Sequence, residues 1–346
     1  MTHKPAGPPW HDPAAYGLYL LDDAGELRLI HHEPAFSCWQ PYPLRKRHKP
    51  PVLSSALDPA LARKDQAQCV VTDVYHGLED VPRGSIKYIR ILEQVPRPWS
   101  ARRRDSSDRL GKAHVVLAQD SVLGLKVQWG IVPVAADGSA NFLVPANRNI
   151  YLQVLDENYV AVQSERSYVN YQPGELRSCI GCHETPNNAP AGHSKRHAMA
   201  LERAPSVPAA QPGDVSAMRT LHYPADVQPV LDAHCVSCHS PVKMAGELDL
   251  RGTPTDLFSV SYESLISSMQ VFRKELREGG KDTVEYLPAR TCFSYHTPLV
   301  AMLSQGKVHL PDPALAERAA ELAKEHGEVD LSTAELLKIS NWLDTN

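Results

Sequence analysis

Two copies of one short cysteine–histidine motif constrain this chain more than any other feature. Each copy has the form C-x-x-C-H, and together they take up four of the 7 cysteines in the 346 residues. The six residues that define the pair are Cys179, Cys182, His183, Cys235, Cys238 and His239. A repeat of the same five-residue pattern indicates a shared chemistry rather than chance.

Three common uses of paired cysteines explain the motifs incompletely. A thioredoxin-like dithiol does not need a histidine after its second cysteine. Two C-x-x-C pairs would supply the four ligands of a structural zinc site, but Cys182 and Cys235 are separated by far more residues than in ordinary zinc ribbons. A disulfide within C-x-x-C is strained and leaves the histidine unexplained.

Covalently attached haem c accounts for all three residues of each motif. Two thiols add to the two vinyl groups of one porphyrin, and the histidine that follows ligates the iron. The sequence therefore predicts two haem c groups, with His183 as an iron ligand of the first and His239 as an iron ligand of the second.

Composition excludes several classes of partner. The formal net charge is −4, and the basic run Arg102–Arg104 stands beside Asp105 and Asp108, so no basic field indicates nucleic acid. No stretch has the apolar length of a transmembrane segment, and the first residues show no signal peptide.

The pattern along the chain predicts an α+β protein with three regions. Residues 1–60 contain alternating runs around Asp23-Ala24-Gly25, typical of a hairpin, followed by a proline-rich extended strap. Residues 61–223 have recurrent strand and turn signals, which predict an all-β, sandwich-like domain that carries the first motif. Residues 224–346 predict a small helical domain like a cytochrome c, with a helix that leads into the second motif and a closing helix capped by Ser332 and Glu335.

Several longer stretches resemble the hydrazine synthase alpha-subunit family in its broad sense. They are VYHGLEDVPRGSIKYIRI, GIVPVAADGSANFLVPANRNIYLQVLDENYVAVQSERSYVNYQPGELRSCIGCHE and PADVQPVLDAHCVSCHS. The resemblance covers about residues 15–346. It implies that residues 1–60 are the end of a propeller-like domain, that a β-rich middle domain holds one haem, and that a C-terminal cytochrome domain holds the second. It also implies a longer, exported chain in the periplasm, because haem c is attached outside the cytoplasmic membrane.

The resemblance further implies different roles for the two haems. In the family's namesake, the middle-domain haem is catalytic, its motif histidine turns to a zinc ion together with a cysteine, and a tyrosine after the motif ligates the iron. Residues 184–188 here are ETPNN and contain no tyrosine. We therefore expect His183 to ligate iron, with a zinc site formed by His183 and Cys38 as the alternative, and we do not expect hydrazine synthesis.

The second haem in the family has two axial ligands, and the resemblance favours His296 as the distal one. Met302, Met244 and Met269 are the alternatives, and His193, His197 and His222 could approach the first haem. The predicted function is electron transfer by a dihaem c-type cytochrome, a module of a larger exported oxidoreductase with a redox protein or other subunits as partners. The alternative is a haem enzyme whose five-coordinate first haem binds substrate. A third hypothesis is a structural module in which both motifs bind zinc.

Overall fold

The computed structural model describes residues 1–78, 80–94, 126–165, 168–181, 198–256, 258–269, 288–291 and 293–345. The chain divides into two compact units, Met1–Ser55 and Ala56–Asn346. Strands and helices both contribute extensively, so the chain is α+β, as predicted. None of the described helices is long and apolar enough to cross a membrane.

The first unit is a three-stranded antiparallel sheet of β1 (Thr2–His3), β2 (Gly17–Leu21) and β3 (Leu27–His31). The β2–β3 turn is closed by Asp22, whose Oδ1 accepts hydrogen bonds from the backbone N–H groups of Ala24 (3.0 Å) and Glu26 (2.8 Å). This confirms the predicted hairpin. The proline-rich strap that follows has no regular structure, and its side chains are exposed.

Two sheets form the middle of the second unit. The smaller has the order β10-β4-β7, and the larger, wholly antiparallel, has the order β11-β6-β5-β8-β9. Among the strands that the structure describes, only β10 runs parallel to its neighbour, β4. The strands are β4 (Gln66–Val71), β5 (Tyr88–Gln94), β6 (Lys126–Pro133), β7 (Ala140–Pro145), β8 (Ile150–Leu155), β9 (Ala161–Ser164), β10 (Leu176–Cys179) and β11 (Arg219–Thr220).

One hydrophobic core joins both sheets to the helical region. It includes Phe142 from the smaller sheet, Ile91 from the larger sheet, and Leu231 and Trp342 from the helices. The helices are α1 (Pro59–Ala62), α2 (Tyr223–Asp226), α3 (Gln228–His234), α4 (Val260–Met269), α5 (Pro298–Leu303), α6 (Pro313–Glu325) and α7 (Thr333–Thr345). The predicted domain boundary between residues 223 and 224 stays a prediction; the core includes residues from both sides of it.

A buried charged network locks the last helix against the larger sheet. Arg90 on β5 and Asp344 on α7 are both fully buried, and Arg90 Nη1 lies 3.7 Å from Asp344 Oδ2. The same carboxylate accepts hydrogen bonds from the backbone N–H groups of Ala161 and Ser294, each at 3.0 Å. The carboxylate of Asp344 therefore has both an opposite charge and hydrogen-bond donors around it, which offset the cost of its burial.

Candidate haem sites

The first motif begins at the end of a strand. Cys179 is the last residue of β10, and its carbonyl accepts a hydrogen bond from the backbone N–H of Thr72 at 3.0 Å. Ile180 is held in the same way, by the N–H of Asp73 at 3.0 Å and the hydroxyl of Thr72 at 2.9 Å. The backbone of the first cysteine is therefore fixed by the edge of β4 before the motif enters its loop.

Gly181 permits a close approach between the motif and the segment after β4. A Cβ atom at position 181 would lie 2.3 Å from the carbonyl oxygen of His76, closer than any real contact. Glycine at the second x of this motif is thus required by packing, whereas the second motif has Ser237 at the same place.

A buried group of polar side chains lies beside Cys179. The Cys69 thiol, 0 % exposed, hydrogen-bonds with the Cys179 thiol, and Tyr171 Oη donates to Cys69 Sγ at 3.3 Å. The hydrogen bond with Cys179 and the burial raise the pKa of Cys69 well above its ordinary value. Burial also raises the pKa of Glu165 to about 8, although this carboxylate accepts a hydrogen bond from the Leu152 N–H at 2.9 Å.

Four predicted residues lie outside the described part of the chain. They are Cys182, His183, His193 and His197. The alternative zinc site of His183 with Cys38 therefore remains a prediction. Among the residues that the structure describes, no group of three or more His, Cys, Asp or Glu side chains is arranged to hold a metal ion.

The second motif forms a turn at the end of α3. Cys235 caps that helix, and its carbonyl accepts hydrogen bonds from the N–H groups of Cys238 (3.0 Å) and His239 (2.9 Å). Cys235 packs against the core, and burial raises its pKa to about 11. Cys238 faces outward, where a hydrogen bond from Lys243 Nζ at 3.2 Å lowers its pKa. The two sulfurs of this motif therefore lie in unlike surroundings.

His239 is oriented by a backbone carbonyl. Its Nδ1 lies 2.7 Å from the carbonyl oxygen of Ala245, which can only accept. Nδ1 must then carry the proton, and Nε2 keeps its lone pair available for a metal ion. Hydrogen bonding of the second ring nitrogen is the usual way in which proteins orient a histidine ligand.

A second histidine, His326, lies close to His239 and has the same hydrogen bond from Nδ1 to a backbone carbonyl. His326 follows α6 as its C-cap, and its Nδ1 lies 2.7 Å from the carbonyl oxygen of Leu322. The two imidazole planes differ by 3°, and their ring centroids are 5.8 Å apart. Two imidazoles that bind one metal ion through nitrogens at about 2 Å have centroids about 6 Å apart. His239 and His326 would therefore hold the iron of a haem bound at this motif.

Sequence reasoning missed His326, and it missed the helix that carries it. The signal was present in DPALAERAAELAKEH: Asp312 is an N-cap that accepts from the N–H groups of Ala314 (2.9 Å) and Leu315 (3.1 Å), and Pro313 opens the helix. A histidine at the end of such a helix is a candidate ligand that the motif alone does not reveal.

The other candidate ligands lie in varied places. His296 ends a 3₁₀ turn, Phe293–His296, and its place as a distal ligand stays a prediction. Met302 lies on α5 and packs against the core, whereas Met244 is 43 % exposed in a left-handed conformation with φ of 46°. His222 is the N-cap of α2, and the side chain of Met269 lies outside the described atoms.

The closing helix also contacts the second motif. Glu335 Oε2 accepts from the hydroxyl (2.6 Å) and backbone N–H (2.9 Å) of Ser332, which confirms the predicted capping box. Its other oxygen lies 3.0 Å from Nε2 of His234, the residue before Cys235. The hydrogen bonds from Ser332, together with His234, lower the pKa of Glu335 to about 2.

Comparisons with known proteins agree on one family. Residues 84–184, which include the whole first motif, match the hydrazine synthase alpha subunit middle domain. Hydrazine synthase subunit alpha of Kuenenia stuttgartiensis is 25% identical over 262 residues, 59% of this chain and 32% of that protein.

A comparison of folds also matches a hydrazine synthase from the same organism. A solved structure of Kuenenia stuttgartiensis hydrazine synthase matches with a TM-score of 0.54 at 18% identity, over 82% of this chain and 43% of that one. The chain spans less than half the length of the proteins it matches. The family model and the curated relative thus relate the chain to the hydrazine synthase alpha subunit, and the family match includes the first C-x-x-C-H motif.

Proposed function

We propose that this protein is a dihaem c-type cytochrome that transfers electrons as a module of a larger, exported oxidoreductase. Cys179 and Cys182 would tether the first haem and Cys235 and Cys238 the second. The bound haems would supply one-electron chemistry, since each iron cycles between two oxidation states. The polypeptide would supply the axial ligands and the burial that set the potentials.

The parallel pair of His239 and His326 carries this proposal. Both imidazoles have Nδ1 against a backbone carbonyl, so both Nε2 atoms are free to bind iron. An iron with two histidine ligands has no open position for a substrate, and this favours electron transfer at the second haem. His326 replaces His296 as the distal ligand in this proposal.

A second candidate function is substrate binding at the first haem. The family match lies on the region that holds the first motif, residues 84–184, and not on the second. A five-coordinate first haem that binds a small nitrogen or oxygen compound is therefore the alternative, with zinc at His183 as its variant. Hydrazine synthesis itself is not proposed, because ETPNN after His183 contains no tyrosine.

We infer the partners and the location from the relationship to hydrazine synthase subunit alpha. The matched relatives are much longer, and one is named as a subunit. We therefore propose that this chain works with other protein components and passes electrons to or from a redox protein in the periplasm, where haem c is attached.

The test is the absorption spectrum of the exported chain, produced with a cytochrome c maturation system, with and without CO. Variants Cys179→Ala/Cys182→Ala and Cys235→Ala/Cys238→Ala form a matched pair that removes one haem each. Two low-spin haems without a response to CO support electron transfer. A CO-sensitive signal that is lost only in Cys179→Ala/Cys182→Ala supports substrate binding at the first haem. A colourless wild-type protein with bound zinc would overturn both.

A further inference from the structure

The turn after the second motif exposes an apolar face, which consists of Pro241, Val242 and Met244. Pro241 is exposed, Val242 is 96 % exposed and Met244 is 43 % exposed. The face begins directly after Ser240, the residue that follows the motif histidine His239. A single exposed apolar side chain is ordinary, whereas neighbouring ones beside a functional site are typical of a surface that a partner covers.

The backbone of this turn is held firmly in place. The N–H of Met244 donates to the carbonyl of Ser240 at 2.6 Å, and the N–H of Ala245 donates to the carbonyl of Cys238 at 3.1 Å. Lys243 lies within the turn, but its ammonium group is directed at the motif, where Nζ donates to Cys238 Sγ at 3.2 Å. A pre-organised turn loses little conformational entropy when a partner covers it.

The chain around the apolar face is acidic. Residues 312–335, which include α6 and His326, contain seven Asp or Glu and two Lys or Arg. Glu317, Glu321 and Glu325 follow one another every four residues, so they form one exposed stripe along α6 that ends beside His326. Within the described part of the chain, no ion pair includes any of these three glutamates.

This acidic character is local to one part of the sequence. Residues 224–346 contain 18 Asp or Glu and 11 Lys or Arg, whereas residues 1–223 contain 22 and 25. The negative charge of the chain is therefore concentrated in the region of the second motif. A charge of one sign beside an apolar surface selects a partner of the opposite sign.

We propose that the apolar face is the docking site of a basic, lysine-rich redox protein, which the acidic surroundings attract. The inference rests on the proposed function, in which a haem held by His239 and His326 passes electrons. Electrons cross only a short distance efficiently, and the face adjoins the motif that would hold this haem. Apolar contact at the centre with complementary charge around it allows fast association, and transient complexes of redox proteins bury small interfaces of this kind. A partner with an acidic surface would be repelled.

Binding of mitochondrial cytochrome c, a lysine-rich redox protein, to the haem-loaded chain tests this inference. The same protein with acetylated lysines is the matched probe, because it lacks most of the positive charge. In isothermal titration calorimetry, we expect the Kd for the unmodified probe to rise at least about tenfold between about 20 mM and about 200 mM NaCl. At low salt, the acetylated probe should bind at least about tenfold more weakly. Equal binding of both probes would overturn the inference.

Charge variants locate the attraction. Glu325→Lys/Glu328→Lys reverses two exposed charges beside His326, and Asp23→Lys/Asp80→Lys makes the same change in net charge at other exposed positions. We expect the first variant to weaken binding of the unmodified probe about tenfold at low salt and the second to weaken it less than about twofold. Equal effects of the two variants would mean that only net charge matters, and this too would overturn the inference.

Val242→Ser removes the centre of the apolar face, with Val215→Ser as the matched loss of a fully exposed valine. We expect Val242→Ser to weaken binding about threefold at both salt concentrations, and Val215→Ser to bind like the wild type. Wild-type binding by Val242→Ser would overturn the inference, whatever the charge variants do. The haem spectrum of each sample keeps the proposed function separate: a wild type without a second haem c refutes that function, whereas weaker binding with an unchanged spectrum concerns the docking site alone.

Discussion

The imidazole rings of His239 and His326 lie parallel, with centroids 5.8 Å apart and planes that differ by 3°. His239 is the last residue of the second C-x-x-C-H motif, and His326 is the C-cap of α6, far along the chain. Each ring has its Nδ1 against a carbonyl oxygen at 2.7 Å. Such a pre-oriented pair lowers the conformational entropy lost when both rings bind one iron.

His326→Ala should convert the second haem from six-coordinate and low-spin to five-coordinate. We expect a high-spin band and CO binding by about half of the haem, measured by absorption spectroscopy and magnetic circular dichroism. The matched variant is His296→Ala, which removes the ligand favoured by the sequence. If His296→Ala opens the second haem and His326→Ala does not, the assignment drawn from the structure is wrong.

Gly181→Ala should impair the first motif specifically. The added Cβ would meet the His76 carbonyl at 2.3 Å, so either the motif loop or the segment at His76 must shift. We expect haem on Cys179 and Cys182 to fall severalfold in peptide mass analysis. Ser237→Ala, at the same position of the second motif, should leave its haem content unchanged. Equal haem loss at both motifs would show that the close contact is not responsible.

Asp344→Ala should destabilise the second unit strongly, because it leaves the guanidinium of Arg90 buried without a carboxylate. Loss of one partner of a buried ion pair typically costs about 3–5 kcal/mol. Removal of an exposed partner in Arg251→Ala should cost less than about 1 kcal/mol, since Arg251 pairs with Asp249 at the surface. Urea unfolding followed by circular dichroism measures both, and comparable losses would contradict this account.

The pH dependence of stability should include a contribution from Glu335. Its pKa is about 2 in the folded protein, below the value of about 4.3 for an unfolded chain. The folded state therefore binds this proton less readily, so the contribution is present above pH 4.3 and is lost as the pH falls towards 2. In urea unfolding from pH 6 to pH 3, Glu335→Ala should lose stability less steeply than the wild type.

Glu317→Ala, on the exposed side of α6, is the control for that measurement. It removes one carboxylate with no capping role and should preserve the wild-type slope. A wild-type slope in Glu335→Ala would show that the contacts with Ser332 and His234 do not stabilise the folded state in this pH range.

Local signals along the chain were sufficient for much of the architecture. The alternation around Asp23-Ala24-Gly25 predicted the hairpin, and Ser332 with Glu335 predicted the start of α7; both are confirmed. Most predicted strands of the middle region were found, since short runs of apolar residues and the turn chemistry between them are encoded by near neighbours. The same signals predict a strand at AHVVLA, residues 113–118, which lie outside the described residues.

The sequence by itself determined which reactive side chains are present: the six residues of two C-x-x-C-H motifs, in a proline-rich α+β chain. Only the tertiary structure decided which distant side chains meet these motifs. His326 lies beside His239 because α6 ends beside the second motif, and the first motif lies beside β4 because β10 pairs with β4 in parallel. Such contacts depend on strand order and helix packing across long sequence separations, which no local pattern specifies.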